Sequence, residues 1–193
     1  MILLKVNPAK PDKKTVQKVV GCLNKGGVII YPTDTVYGLG CRIDKPDSIR
    51  KIVEIKKRKT DKPLSIACAD FSMIKQYAVV DEIKKDFILD KADKGYTFIL
   101  QKKNTVDGLV VACGDTVGVR LVPLKLIRDI IAKTGCPIVS TSANYAGGNP
   151  PAELDEIEKD IRKAVDLVLD GGGCAIGKPS RVVGLHDKKI LRD

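Results

Sequence analysis

The apolar residues of this chain follow two spacings, one typical of amphipathic helices and the other of buried strands. From Lys13 to Asn24 they recur every three or four positions, and Gly26-Gly27 supplies a stop signal for a helix. Residues 28–31 (VIIY) are then entirely apolar over the length of one strand, as expected for a strand buried on both faces. An early helix is therefore predicted to lead into the interior of a sheet.

The same two spacings divide the whole chain into alternating strands and helices. The predicted helices cover residues 13–24, 47–55, 70–77, 81–92, 123–133 and 154–163. The predicted strands cover residues 2–6, 28–31, 64–69, 96–101, 117–122, 137–140, 165–169, 181–185 and 189–191, with a turn at His186-Asp187 between the last two. This alternation predicts an α/β sheet with helices on its faces, and the length of 193 residues fits one domain over residues 1–193.

Two of these helices carry further expectations. Asp47 or Ser48 is predicted to cap the second helix, because short polar side chains commonly satisfy the first free backbone N–H groups. The fourth helix carries Ile83, Phe87 and Ile88 at spacings that place them on one apolar face.

Charge adds a candidate class of partner. The chain has 34 Lys and Arg residues against 24 Asp and Glu residues, which gives a net charge of +10. An anionic partner such as a nucleotide, a nucleic acid or an acidic lipid would complement this charge. Net charge concerns association and not the fold.

The cysteines indicate neither a zinc site nor a disulfide framework. All six lie far apart and form no C-x-x-C pair: Cys22, Cys41, Cys68, Cys113, Cys136 and Cys174. Isolated cysteines in apolar runs usually behave as small buried hydrophobes, which suits a reducing cytoplasm. The first residues lack a basic leader, and no apolar run approaches the ~20 residues of a membrane span. We therefore expect a soluble cytoplasmic protein.

Candidate chemistry lies in four polar segments beside the predicted buried strands. They are Thr33-Asp34-Thr35, the run from Ser140 to Asn144, the glycine loop from Gly171 to Ser180, and the basic segment from Lys56 to Ser65. Ligand sites of open α/β sheets gather at strand ends in this way. Each segment taken alone is also explained by ordinary capping and turn chemistry.

The basic segment has two interpretations. Its cations are Lys56, Lys57, Arg58, Lys59 and Lys62, with Asp61 as the acidic residue among them. One interpretation is a solvated helix end at which cations interact favourably with the helix dipole. The other is a phosphate site, in which lysine supplies a point charge and arginine a two-pronged donor.

The glycine loop is close to a phosphate-binding P-loop but does not fit one. Gly172, Gly177 and Lys178 have the required spacing, but Pro179 stands where a magnesium-binding Ser or Thr belongs. A strand pattern follows where a P-loop requires a helix. Ser180 remains a candidate phosphate donor from a loop.

The residue types available narrow the reaction class. With His186 as the single histidine and no paired carboxylates at a strand end, hydrolytic triads and metal-ion hydrolases are poorly supported. The remaining groups are Lys, Arg, Ser, Thr and Asn. They suit a reaction whose nucleophile comes from the substrate and whose catalysis is mainly electrostatic.

Five segments together resemble the YrdC-like threonylcarbamoyl-adenylate synthases. In chain order they are Tyr31-Pro32-Thr33-Asp34-Thr35-Val36-Tyr37-Gly38-Leu39, Lys56-x-Arg58 with Lys62-Pro63-Leu64, Thr116-Val117-Gly118-Val119-Arg120, Ser140-Thr141-Ser142-Ala143-Asn144, and Pro179-Ser180 with Val182-Val183. The similarity runs from about Val28 to the C-terminus. It implies a twisted open mixed sheet flanked by helices, of the YrdC-like type associated with double-stranded RNA, with a concave basic cleft.

The resemblance implies an activity as well. Members of the family join L-threonine, bicarbonate or CO2, and ATP into threonylcarbamoyl-AMP and pyrophosphate. This is the first step of the t6A37 modification of tRNA, and a threonylcarbamoyl-transferase machinery acts downstream.

By the same resemblance, six residues would contact ATP: Lys56, Arg58, Thr116, Ser142, Asn144 and Ser180. The catalytic residues among them would be Lys56 and Arg58, which neutralise the phosphates, and Ser142 and Asn144, which donate hydrogen bonds around the α-phosphate. Lys56→Ala or Arg58→Ala is then predicted to slow the reaction by orders of magnitude and to leave the fold intact.

Threonine would be held by Thr33, Arg120 and Ser140, with Arg120 forking onto the carboxylate. Mg²⁺ would bridge oxygens of ATP without a protein cage. The chain departs from the family pattern at Asp93-Lys94-Gly95-Tyr96, where Pro-Gly-Pro is common, and at Arg181 and Gly184, where Thr and Asp are usual.

Two alternatives stay open at this stage. A non-catalytic module that binds double-stranded RNA or tRNA would also use the +10 charge, and its affinity would fall steeply with salt. The second alternative is a carbamoyl-phosphate-handling or hydrogenase-maturation module, because related domains occur inside larger carbamoyl-transfer proteins. One branch on the same fold has lost parts of the Lys-Arg-Ser-Asn set, whereas this chain retains all four residues.

Overall fold

The computed structural model describes residues 1–59, 61–185 and 190–192. Its strands are β1 Ile2–Lys5, β2 Ile29–Tyr31, β3 Gly38–Gly40, β4 Ser65–Cys68, β5 Tyr96–Gln101, β6 Thr116–Leu121, β7 Ile138–Ser142, β8 Leu167–Asp170, β9 Arg181–Gly184 and β10 Ile190–Arg192. Its helices are α1 Lys13–Asn24, α2 Pro46–Ile55, α3 Phe71–Tyr77, α4 Glu82–Lys91, α5 Gly108–Val111, α6 Lys125–Thr134 and α7 Lys159–Ala164. The predicted turn at His186-Asp187 lies outside the described residues.

The strands form one mixed sheet in the order β1-β8-β2-β3-β7-β4-β6-β5-β9-β10 across the described residues. The pairs β1 with β8, β2 with β8, β4 with β6, and β5 with β9 are parallel. The other neighbours are antiparallel. The predicted α/β sheet with flanking helices is confirmed, and its central strands β3, β7, β4 and β6 bring distant polar segments together.

Strand β3 is an element that the hydrophobic pattern did not predict. The sequence Gly38-Leu39-Gly40 reads as part of a loop, yet it pairs with β2 on one side and β7 on the other. The Tyr31 ring explains why glycine stands at both positions. A Cβ atom at Gly38 would lie 2.8 Å from this ring, and one at Gly40 would lie 2.9 Å from it. Glycine is therefore needed for packing at two positions where periodicity alone indicates a turn.

Helices α1 and α6 bury the apolar faces that their spacing predicts. In α1, Val16, Val19 and Leu23 are buried, and the helix packs against α6. Asp12 caps α1 by accepting a hydrogen bond from the backbone N–H of Thr15.

The predicted cap of α2 was wrong. Lys45 precedes the helix without a side-chain hydrogen bond, and Pro46 occupies the first turn, where its missing N–H does no harm. Ser48 instead donates its hydroxyl hydrogen to the Gly26 carbonyl, and Asp47 pairs with Arg50 on the surface.

Other local predictions were also wrong. In α4, Ile88 is buried, but Ile83 is 77% exposed and Phe87 also reaches solvent. The predicted helix over residues 154–163 is a 3₁₀ turn, Leu154–Glu156, followed by α7. Helix α6 begins at Lys125, after Pro123, and the connection before β6 contains α5.

The six cysteines are free thiols, and three of them, Cys41, Cys68 and Cys136, are buried. Burial raises the pKa of the Cys41 thiol to about 12, which keeps it protonated. Among the described residues, no helix is long and apolar enough to cross a membrane.

Candidate active site

A cleft of about 300 Å³ opens over the central strands. Its wall is built from the loop between β2 and β3, from β5, β6 and β7, and from the segments before β4 and β9. Seven of the nine predicted site residues line it: Thr33, Arg58, Thr116, Arg120, Ser140, Ser142 and Ser180. The structure therefore brings together residues that lie up to 147 positions apart in the sequence.

Lys56 and Asn144 are the two predicted site residues that do not line the cleft. Lys56 is 1% exposed, so the interpretation of a solvated helix end fits the exposed Lys57, Lys59 and Lys62 but is wrong for Lys56. Its Nζ donates hydrogen bonds to the backbone carbonyls of Ser142 and Asn144, the second at 2.7 Å. Lys56 thus holds the end of β7 from behind the wall to which Ser142 belongs.

Further contacts join the same two segments. The backbone N–H of Ala146 donates to the Lys56 carbonyl at 2.9 Å. The Lys57 Nζ lies over the Tyr145 ring, 4.3 Å from its centroid, in a cation–π contact. We call this set of contacts between residues 56–57 and 142–146 the clamp. It fixes the Lys-x-Arg and Ser-x-Asn segments relative to each other.

The Asn144 amide is oriented by its own loop. Its Nδ2 donates to the carbonyls of Tyr145 and Gly148, so the reversed orientation would place oxygen against oxygen. Both of these hydrogen bonds are made within the loop that follows Asn144. The amide oxygen Oδ1 is buried and has no hydrogen-bond partner among the described residues. In this conformation Asn144 shapes the loop behind Ser142.

Burial lowers the pKa of Lys56 to about 8 from its ordinary value of 10.5, with the Arg58 charge adding to the effect and Glu158 opposing it. Between these two values the unfolded chain binds a proton that the folded chain has released. Wild-type stability relative to Lys56→Met should therefore rise with pH between about 8 and 10.5.

The full rise is roughly 3 kcal/mol, at about 1.4 kcal/mol per pKa unit. Urea unfolding of both proteins at several pH values measures it, and other titrating groups cancel in the difference. A difference that stays constant over this window would contradict a buried, charged Lys56.

Arg58 faces the cleft from the segment that precedes β4. Its Nη2 donates to the Pro63 carbonyl at 2.8 Å and its Nε to the Lys62 carbonyl at 3.3 Å, so its own chain orients the guanidinium. Burial lowers the pKa of Arg58 from its ordinary value, while Asp61 raises it. Arg58 is thus a preoriented cation at the cleft wall.

Arg120 forms a buried ion pair on the other side of the cleft. Its Nη2 donates to both oxygens of Asp34, at 2.8 and 2.9 Å, and its Nη1 donates to Thr35 Oγ1 at 2.6 Å. Asp34 and Thr35 therefore already engage both terminal nitrogens of the Arg120 guanidinium, which was predicted to bind the carboxylate of threonine. A ligand carboxylate would meet the remaining N–H groups of Arg120.

The Thr33 hydroxyl is engaged within its own turn. It donates to the Val36 carbonyl at 2.7 Å and accepts from the backbone N–H groups of Thr35 and Val36. This network shapes the loop that carries Asp34. The role of Thr33 as a direct threonine ligand stays a prediction.

The glycine loop closes the other rim. The backbone N–H of Ile176 donates to the Asp34 carbonyl, and the hydroxyl of Tyr37 donates to the Gly172 carbonyl. At its end, the Ser180 hydroxyl lies 2.7 Å from that of Thr97 on β5. Strand β9 follows, which confirms that this loop is not a P-loop.

Sequence reasoning did not select four residues that the site uses. Asp34 and Thr35 lie in a segment that it marked, but without a role of their own. Thr97 and Tyr31 sit inside strand patterns, where a polar group facing a cleft cannot be distinguished from one facing solvent. For Thr97 the available signal was a polar residue between apolar neighbours, whereas the entirely apolar run 28–31 gave no such signal for Tyr31.

No cluster of three or more His, Cys, Asp or Glu side chains among the described residues could hold a metal ion. The cleft is lined instead by hydroxyls and by the guanidinium groups of Arg58 and Arg120. Hydrogen-bond donors of this kind bind the oxygens of phosphates and carboxylates.

A mixed α/β sheet whose central strands carry guanidinium and hydroxyl donors around a cleft defines an α/β protein equipped for an anionic ligand. Comparison with known proteins identifies the family. The Sua5/YciO/YrdC model, described as telomere recombination, matches residues 21–193. The chain belongs to this family.

Two relatives and two solved structures are informative. A protein of Methanocaldococcus jannaschii is 36% identical over 180 residues, covering 93% of this chain and 84% of the relative. One of Xanthomonas oryzae pv. oryzae is 30% identical over 182 residues, covering 93% of this chain and 97% of the relative. The Xanthomonas protein is named threonylcarbamoyl-AMP synthase, and the Methanocaldococcus protein carries the same name in provisional form.

The Escherichia coli YciO structure superposes with a TM-score of 0.90 at 28% identity, over all of this chain and 96% of the other. The structure of P. abyssi Sua5 complexed with L-threonine gives a TM-score of 0.89 at 26% identity. That match covers 96% of this chain and 55% of Sua5, so the chain spans about half the length of that protein. Both matches confirm the predicted mixed α/β sheet flanked by helices.

Proposed function

We propose that this protein is an L-threonylcarbamoyladenylate synthase, a nucleotidyltransferase that forms threonylcarbamoyl-AMP and pyrophosphate from L-threonine, bicarbonate or CO2, and ATP. The carrying observation is that Arg58 and Ser142 face the same cleft as Arg120 and Ser140. Hydrogen-bond donors suited to the phosphates of ATP and donors suited to the carboxylate of an amino acid thus line the same cleft. The names of the two synthase relatives and the threonine-bound Sua5 structure support the assignment.

The reaction needs positioning more than proton-transfer groups of unusual pKa. The threonine amine attacks CO2 and loses a proton to give a carbamate. A carbamate oxygen then attacks the α-phosphorus of ATP, and the bond to the β-phosphate oxygen breaks as pyrophosphate leaves. Two anionic reactants repel each other in water, and the guanidinium groups of a sheltered cleft offset that repulsion.

The position of each residue in or behind the cleft assigns its role in this proposal. Arg58 and Ser142 contact the phosphates, with Thr116 and Ser180 on the nucleotide side. Arg120 and Ser140 contact threonine near Thr33. Lys56 and Asn144 hold the Ser142 segment from behind, so in this proposal they act through the clamp and not by direct contact with ATP.

Magnesium enters as the ATP complex in this proposal. The hydroxyl and guanidinium donors of the cleft fit the phosphate oxygens of that complex, and the metal would supply charge neutralisation when bound. Delivery of the product to tRNA, through a downstream transferase, belongs to the same proposal. Direct binding of tRNA or double-stranded RNA stays a prediction that rests on the +10 charge.

Pyrophosphate release tests the function. Purified protein with ATP and magnesium should release pyrophosphate only when both L-threonine and bicarbonate are present, and L-serine in place of threonine should give much less. Folded protein that releases no pyrophosphate in response to threonine would contradict the proposal. Salt-sensitive RNA binding by the same inactive sample would then favour the RNA-binding alternative.

A further inference from the structure

Tyr31 reaches across one strand of the sheet to a residue of the cleft. It lies on β2, is 1% exposed, and its hydroxyl donates a hydrogen bond to Ser140 Oγ on β7 at 3.0 Å. Strand β3 lies between these two strands. The side chain therefore spans β3 in order to make this contact.

The two glycines of β3 make that crossing possible. Gly38 pairs with Tyr31 on β2 and with Ser142 on β7, and the same register places Gly40 beside Ser140. A Cβ atom at either glycine would come within 3 Å of the Tyr31 ring. The two glycines of β3 thus leave the space that the Tyr31 ring occupies.

The buried phenol fixes the polarity of Ser140. Burial raises the pKa of Tyr31 to about 12, so its hydroxyl keeps its proton, and the hydrogen bond directs that proton to Ser140 Oγ. Since Ser140 Oγ accepts this hydrogen bond, its own proton is available to another group. No acceptor for that proton is found among the described residues, and Ser140 lines the cleft.

We propose that Tyr31 is a positioning residue that makes Ser140 a fixed hydrogen-bond donor to an anionic oxygen of the bound amino acid. This inference rests on the proposed function and deepens it. A serine hydroxyl without such a partner can rotate between donor and acceptor roles. With Tyr31 in place, Ser140 favours a carboxylate or carbamate oxygen over the ammonium group of the substrate.

A double-mutant cycle tests the inference. Tyr31→Phe removes the hydroxyl and keeps the ring packed against Gly38 and Gly40, so the fold should persist. We expect its KM for threonine in pyrophosphate release to rise about tenfold, the size of one hydrogen bond, with kcat and the KM for ATP within about twofold. Ser140→Ala should raise the same KM at least as much, and Tyr31→Phe should add nothing in the Ser140→Ala background.

Tyr77→Phe, a change of the same kind outside the cleft, is the control and should match wild type. An unchanged threonine KM in Tyr31→Phe, or an undiminished effect of this change in the Ser140→Ala background, would overturn the inference and leave the synthase assignment intact. A wild-type protein without threonine-dependent turnover would overturn both.

Discussion

Replacing Arg58 with alanine is expected to slow threonine-dependent pyrophosphate release by about 10²- to 10³-fold, the usual cost of removing one preoriented electrostatic group from an active site. Arg58 faces the cleft, and its guanidinium is held by the carbonyls of Lys62 and Pro63. It therefore needs little reorganisation when charge builds on the departing pyrophosphate. Arg58→Lys should recover only part of the rate, because lysine keeps the charge but not the planar fork.

Lys59→Ala provides the matched control for this measurement. Lys59 is exposed, belongs to the same basic segment, and does not line the cleft. Its loss removes one positive charge and should change turnover by less than about threefold, with greater effect at low salt. Equal losses of turnover in Arg58→Ala and Lys59→Ala would show that the segment acts only through its overall positive charge. That result would contradict the specific role of Arg58.

Replacing Lys56 with alanine is expected to lower both stability and turnover. This revises the sequence-based expectation that the fold would remain intact. Lys56→Ala removes the donor of two buried carbonyls, each costing about 1–3 kcal/mol when left unpaired, and leaves a cavity. Relief from burying a charge offsets part of this, so the expected net loss is about 3 kcal/mol.

For a protein of this size, that loss corresponds to a fall in Tm of roughly 6–12 °C. Urea unfolding and turnover measured well below Tm test the two effects separately. Lys56→Met should destabilise less, because it fills the volume, yet it should still slow turnover, because Ser142 is no longer held in place. Stability and turnover close to wild type in Lys56→Met would contradict the clamp.

Much of the architecture could be predicted from local pattern. The bounds of α1 and β5 were predicted to the residue, because helical spacing and strand alternation depend on neighbours within one or two turns. Local pattern failed at β3, whose glycines make it resemble a loop, and at Ile83, where helical spacing indicated a buried face. Whether another element covers a helix face is not encoded in that helix alone.

The candidate site shows the same division. The sequence by itself determined the order of the strands other than β3 and of the longer helices, since these follow from short-range spacing, and its resemblance to the family selected the candidate residues of the cleft. Only the tertiary structure decided that Lys56 is buried behind Ser142, that Asp34 holds Arg120, and that Tyr31 crosses β3 to reach Ser140. These contacts join residues about 86 to 109 positions apart, and which of them meet depends on strand order and register, which are set only when the whole sheet assembles.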